Sequence, residues 1–381
     1  MILPESDDIP ATEAAQDAAN SAGLVYVSDE TPGISRRRQG RGFSYRLPDG
    51  RQVHDDTTLV RIRALAIPPA YTEVWICRNA RGHLQATGRD ARKRKQYRYH
   101  SEWDAMRGDG KFERIVAFGE ALPRLRRRLR SDLALTGYPR DKVLAIVVAL
   151  MAETLVRVGN QSYARSNNSY GLTTLRDRHL QFAGSGRASL RFRGKGGQAH
   201  EVAIDDLRLV RLVRGCQQLP GQQLFQYRDD AGVLQPVDSG LVNAYLRAAM
   251  GADFTAKDFR TWGGTLHAFR LFAATPQPEG DAAAPPAERT LATLQNTVIK
   301  EVATILGNTV AVCRRAYIDP AIFNGWRDGS LLRAAKDARG QRQWEQATLR
   351  FLKRARRQAA RDAPRPRNGT GRKSARTPPT R

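Results

Sequence analysis

Leu306-Gly307-Asn308-Thr309-Val310-Ala311-Val312-Cys313-Arg314-Arg315-Ala316-Tyr317-Ile318-Asp319-Pro320 is the stretch on which the reading of this chain turns. Gly307 marks a helix stop, Asp319-Pro320 marks the cap and first position of the next helix, and Tyr317 lies between them. A tyrosine in a globular protein is usually a packing residue with a hydrogen-bonded hydroxyl. Upstream, however, Arg157, Lys195 and Arg260 stand in separate short segments, each with its own local pattern. A tyrosine preceded by dispersed cations suggests phosphoryl transfer to a protein oxygen.

Composition bounds the partner. The 381 residues carry 63 lysines and arginines against 38 acidic residues, a formal net charge of +25, which points to a polyanion and foremost to nucleic acid. Only ten of the 63 are lysine; arginine binds phosphate through two parallel donors, although a GC-rich genome gives the same bias. Cys77, Cys216 and Cys313 are far apart, with no His or Cys at metal-ligand spacing, and read as free thiols in a reducing compartment. The acidic start is unlike a secretory leader, and no run approaches the roughly 18 apolar residues of a membrane span, so a soluble, cytoplasmic protein is expected.

Residues 1–22 hold Glu5, Asp7, Asp8, Glu13 and Asp17 without a basic residue and read as disordered. From Leu24 to about Gly108 short apolar runs alternate with turns. Leu24 to Val27, Tyr71 to Ile76 and His83 to Thr87 read as strands, and Leu47-Pro48-Asp49-Gly50 as a hairpin turn. From about Phe112 the period is helical. Ile115 to Leu135 is amphipathic and very basic, and Lys142 to Val158 is apolar almost all round, stopped by Gly159. A strand pair through Leu190-Arg191-Phe192 and Glu201 to Ile204 is joined by Gly194-Lys195-Gly196-Gly197, and Ser239 and Thr255 are helix caps. Pro276 to Glu288 reads as a surface insertion. Residues 340–381 hold thirteen basic residues against Glu345 and Asp362, and from about Arg361 a disordered arm adding salt-sensitive, sequence-independent affinity for nucleic acid is expected.

Neither a phosphate-binding loop nor a two-metal acidic site is evident, and no cofactor is expected. A metal-free enzyme acting on a phosphodiester must hold the transferring phosphoryl group with fixed cations and donors. Arg157, at the end of the buried helix, could do so or could merely pair with Glu153 one turn earlier. Lys195 is at a hairpin tip, where a lysine is commonly just solvated. Arg260 lies on the first turns of a helix beginning at Thr255, where the dipole favours an anion. Asn308 could instead be the left-handed residue after a helix stop.

Taken together, the segments Arg157-Val158-Gly159-Asn160, Phe192-Arg193-Gly194-Lys195, Lys257-Asp258-Phe259-Arg260 and Leu306-Gly307-Asn308 followed by Tyr317 resemble those of type IB DNA topoisomerases of the poxvirus-like, bacterial kind. The resemblance runs from about Leu24 to about Leu332. It implies an α+β chain: a small β-rich DNA-binding domain at 23–108, then a mainly helical catalytic domain of the tyrosine recombinase and topoisomerase IB fold at 109–338. In that second domain a small sheet carries the lysine hairpin, and a largely disordered basic tail follows at 339–381. It also implies a site in which Tyr317 attacks the scissile phosphate, Arg157, Arg260 and Asn308 hold the non-bridging oxygens, and Lys195 protonates the leaving 5′ oxygen. Several members carry histidine where this chain has Asn308; an amide donates to phosphate without a charge.

Arg92 to His100 interleaves cations with aromatics and resembles the family's major-groove segment, with Arg94, Gln96, Tyr97 and Tyr99 at the contacting positions. Tyr163 matches another DNA contact. Two domains clamping supercoiled duplex DNA as a C-shaped monomer is the implied arrangement. Tyrosine recombinases share the order Arg, Lys, Arg, Tyr, but usually have histidine where this chain has Lys257 and a helical domain in front. A non-catalytic nucleoid protein would explain the charge and leave the ordered residues unexplained.

Overall fold

The computed structural model describes residue 16 and residues 19–40, 42–91, 93–183, 186–278 and 287–362, with the side chains at 105–111, 162, 163 and 166 also outside that description. Most of the start read as disordered, most of the insertion and the tail beyond residue 362 therefore lie outside the described residues. The fold is α+β, and the chain forms two compact units, Met1–Glu113 and Arg114–Arg381.

In the first unit β1 (Ile34–Gln39), β2 (Gly42–Arg46), β3 (Thr72–Ile76), β4 (Leu84–Arg89) and β5 (Lys95–Tyr99) make one antiparallel sheet ordered β2-β1-β3-β4-β5. Ile34, Val53, Val74, Ile76 and Ala86 form its apolar side, packed with Ile62 of helix α1 (Asp56–Ala64). The turn after β2 is as expected: Gly50, at φ +86°, donates to the Leu47 carbonyl at 2.9 Å, a conformation that costs glycine nothing. The expected strand at Leu24 to Val27 shrinks to a single bridge, Val25 to Gly82. Leu24 is instead buried against Ala19 and Trp103, while Val25 is 46% exposed.

The second unit is mainly helical: α2 (Ser101–Leu133, which begins in the first unit), α3 (Arg140–Thr154), α4 (Gln161–Asn167), α5 (Leu207–Gln217), α6 (Ser239–Met250), α7 (Ala256–Ala273), α8 (Glu288–Leu306), α9 (Val310–Ala316), α10 (Pro320–Arg327), α11 (Ser330–Ala335) and α12 (Gly340–Asp362). Between α4 and α5 runs the antiparallel sheet β6 (Leu180–Ala183), β7 (Arg187–Arg193) and β8 (Ala199–Ile204); β9 (Gln226–Arg228) and β10 (Leu234–Pro236) pair separately. Helix α3 is apolar all round because it runs through the core, with Val143, Ile146, Val147 and Met151 wholly buried.

Three details differ from the sequence reading. Helix α3 stops at Thr154, not at Gly159: Leu155 turns left-handed at φ +54° and closes on Met151, and its own carbonyl is taken by Arg260. Arg157 thus lies beyond the helix, in an extended stretch. Asp238 rather than Ser239 caps α6, since its carboxylate accepts the Leu241 N–H at 2.8 Å. Residues 340–362, assigned above to a largely disordered tail, form α12. Trp344, Ala347, Phe351 and Leu352 recur at helical spacing and pack on the core, with Phe351 5.5 Å from Phe269 by ring centroids.

Candidate active site

Arg157 is fixed by its backbone before its side chain is considered. Its carbonyl accepts from Leu172 at 2.9 Å, and Thr173 donates to the Val158 carbonyl at 2.6 Å. Its guanidinium then reaches the C-terminal end of α8, donating to the Gly307 carbonyl at 3.4 Å and to Asn308 Oδ1. Glu153 is not its partner; that carboxylate accepts the Asp205 N–H at 3.1 Å.

Arg260, 5% exposed, sits in the second turn of α7 and joins two helix ends. One terminal nitrogen donates to Leu155, the cap of α3, and the other to Leu306, the last residue of α8, at 2.8 Å. Two carbonyl-rich helix ends are a favourable place for a buried cation. Its guanidinium carbon stands 5.1 Å from the centre of the Tyr317 ring. Arg260 Nε, Asn308 Nδ2 and His200 Nε2 are all buried with no protein hydrogen-bond partner among the described residues.

Asn308 follows Gly307, which is the left-handed residue at φ +56°; the Asn308 N–H closes the helix on Ala303 at 2.9 Å. With Oδ1 accepting from Arg157, its amide is oriented with Nδ2 as the remaining donor. Thr309 caps α9, and Tyr317 ends that short helix, its N–H donating to Cys313 at 3.0 Å. The Tyr317 carbonyl accepts from Thr265 Oγ1 at 3.2 Å, and Thr265 Oγ1 in turn accepts the Asp319 N–H at 3.1 Å. Gly264 permits this approach: a side chain there would meet the Tyr317 carbonyl at 2.6 Å. Asp319 is wholly buried, caps α10 through Ala321 and pairs with Arg356 of α12.

Lys195 stands at the tip of the β7–β8 hairpin, between Gly194 and the left-handed Gly196 and Gly197. It lines a cavity together with Arg157, Arg260, His200 and Phe192. Thus Arg157, Lys195 and Arg260 share one cavity wall, Arg157 holds Asn308, and Arg260 covers Tyr317.

The charges act on one another. Burial, then Arg260, lower the Arg157 pKa to about 10, while the Tyr317 phenol works against that fall. Burial alone would raise the Tyr317 pKa, but Arg260 first and Arg157 next outweigh it and hold the phenol below its ordinary value. A half-buried phenol with Arg260 over its ring and the charge of Arg157 acting on it has the chemistry of an oxygen nucleophile, and the same cations suit a phosphoryl group.

Of the other expected contacts, Arg94, Gln96, Tyr97 and Tyr99 lie in the first unit, on or beside β5. Arg94 is paired with Asp90 at 2.6 Å, and Gln96, 7% exposed, donates to the same carboxylate at 3.3 Å. Tyr97 and Tyr99 stack with ring centroids 6.1 Å apart, and Lys95 pairs with Asp29 at 2.8 Å. Arg92 and the side chain of Tyr163 fall outside the described residues. His200 and Thr265 were not singled out from sequence, and Asp319 was read only as a helix cap, since each lies in an ordinary strand, helix or cap pattern.

A family model described as the catalytic core of eukaryotic DNA topoisomerase I matches residues 98–321, and one described as the N-terminal domain of bacterial DNA topoisomerase IB matches residues 42–90. The chain is 31% identical over 290 residues to a DNA topoisomerase 1B of Acanthamoeba polyphaga mimivirus, covering 75% of this chain and 85% of that one. A DNA topoisomerase 1B of vaccinia virus (strain Copenhagen) is 21% identical over 268 residues, covering 69% of this chain and 78% of the other. A DNA topoisomerase I of monkeypox virus is 22% identical over 271 residues, covering 69% and 78%.

Proposed function

This chain belongs to the type IB DNA topoisomerase family, enzymes that relax DNA, and we propose from that membership that Tyr317 is its nucleophile. The phenol oxygen forms a bond to the scissile phosphorus as the bond from phosphorus to the 5′ oxygen breaks. This leaves a 3′-phosphotyrosyl strand and a free 5′-hydroxyl. Arg157, Arg260 and Asn308 Nδ2 hold the non-bridging oxygens as charge develops, and Lys195 gives its proton to the departing oxygen. Religation runs the same steps backwards, so the bond energy stays in the phosphotyrosine and neither ATP nor a metal is required. Between the two steps the free end swivels. The substrate is supercoiled duplex DNA, the working form a monomer, and the setting the cytoplasm, on nucleoid DNA.

The observation that carries this reading is Arg260. Its two terminal nitrogens are engaged by helix ends, its plane covers Tyr317, and its Nε is a buried donor with no protein partner among the described residues. Such an arrangement orients one donor toward an anion beside the phenol. The test is relaxation of negatively and positively supercoiled plasmid in EDTA without ATP, beside the Tyr317→Phe variant. The variant should bind DNA yet form no covalent adduct and relax nothing; retained relaxation would refute the assignment.

A further inference from the structure

We propose that His200 is a positioning residue for Lys195, its ring serving as the wedge that docks the lysine hairpin onto the C-terminal end of α8. The inference rests on the reading of Lys195 as the acid for the leaving oxygen, and deepens it.

A hairpin tip made of Gly194, Lys195, Gly196 and Gly197 has little stiffness of its own. Glycines lose the most backbone freedom on ordering, and a lysine carries large rotamer entropy. Within the tip, backbone hydrogen bonds run from Gly194 to Gln198 at 2.8 Å and from Gly197 to Gly194 at 3.0 Å. They close the turn without saying where it points. His200 supplies that information. It stands directly opposite Phe192 in the β7–β8 register, and the two rings stack with centroids 5.2 Å apart and planes within 9°. Phe192 is buried in the main core, so the stack anchors the imidazole to the body of the unit.

The other contacts of the ring are with the residues that immediately precede two of the site's side chains. A Cβ at Gly194, just before Lys195, would come 2.4 Å from the imidazole, and one at Gly307, just before Asn308, would come 2.3 Å from it. His200 therefore fills the space between the lysine hairpin and the α8 stop, and both neighbours are glycine because the ring takes the room a side chain would need. Burial, then Arg157 and Arg260, hold its pKa down, so the wedge is neutral where a further positive charge would push against both guanidiniums. Lys195 on the hairpin is the remaining cation of this cavity.

A residue that places the general acid should matter only when an acid is needed. With an ordinary duplex, His200→Ala and His200→Gln should slow single-turnover formation of the covalent adduct by about tenfold, a part of the about 10²–10⁴-fold that a positioned acid contributes. On a duplex whose scissile 5′ oxygen is replaced by sulfur, the leaving thiolate needs no proton. There both variants should match the unaltered enzyme, which also shows that they are folded. Lys195→Ala is run alongside and should be slow on oxygen and restored on sulfur. If Lys195→Ala is restored but the His200 variants stay slow on sulfur with native circular dichroism, the inference fails alone. No loss on oxygen also overturns it. If Lys195→Ala is not restored on sulfur, the acid role of Lys195 fails and the inference with it.

Discussion

The cavity beneath the lysine hairpin and the β5 edge of the first unit are both rich in phosphate-binding side chains, yet they hold them differently. In the cavity, Arg260 Nε, Asn308 Nδ2 and His200 Nε2 are buried donors or acceptors without protein partners among the described residues. At the β5 edge, Arg94 and Gln96 are both engaged by Asp90, and Lys95 by Asp29. Keeping buried polar atoms unsatisfied costs stability, so a protein does it where a ligand is to supply the missing bonds. Partners held in internal ion pairs are the cheaper arrangement, suited to contacts that exchange when DNA arrives. On the proposed reading, one region is organised for chemistry and the other for binding.

The sharpest way to break that contrast is Arg260→Ala. It should lower the single-turnover rate of covalent adduct formation by about 10³-fold, at the upper end of what one preorganised donor supplies. A loss under about tenfold would mean that the cavity is not organised around this cation. Next comes Asn308→Ala, expected to cost about 10²-fold in the same rate with DNA affinity nearly unchanged, since Nδ2 is its only uncommitted donor. Equal losses in rate and affinity would place Asn308 with the binding residues instead. Arg94→Ala sharpens the comparison from the other side. Binding should weaken and the slope of log affinity against log salt should fall by about one, while the cleavage rate at saturating enzyme holds within about twofold.

The smallest effect concerns acid. His179, His200 and His267, all in the second unit, have pKa values lowered below 6.5, chiefly by burial. The unfolded chain therefore takes up these protons first. The stability they contribute is complete above pH 6.5 and is lost as pH falls through their lower folded values. The melting temperature should drop by a few degrees, about the effect of 1 kcal/mol, between pH 7.5 and 5.5. A flat profile would argue against a neutral, buried His200.

What the sequence disclosed follows the same division. Lys195, Arg260, Asn308 and Tyr317 stand beside the turns or caps expected for them, whereas the helix stop expected beside Arg157 at Gly159 lies instead at Leu155. Where grammar was absent, reading failed for identifiable reasons. β1 is Ile-Ser-Arg-Arg-Arg-Gln, with only Ile34 buried, so it shows no clean alternation. The end of α3 is set by a left-handed Leu155 whose carbonyl is claimed by a residue 105 positions away, which no local signal records. In α12 the apolar spacing was present but masked by the charge of its exposed face. The engagement of Gln96 by Asp90 is likewise a tertiary fact, although the two lie only 6 residues apart.

The tie between Asp319 and Arg356 has a mechanical meaning. On the proposed reading, a cut strand hangs from Tyr317 while the duplex beyond it spins, and the drag of that rotation reaches the protein through one aryl phosphate ester. Behind it the backbone is latched by Thr265 and Gly264 on α7 and, two residues on, by a carboxylate sunk in the core and held by α12. Torque on the tether is thereby spread over two long helices instead of unwinding the seven-residue helix that presents the tyrosine. On that reading helix α12, distant from Tyr317 in sequence, is the mooring for the load.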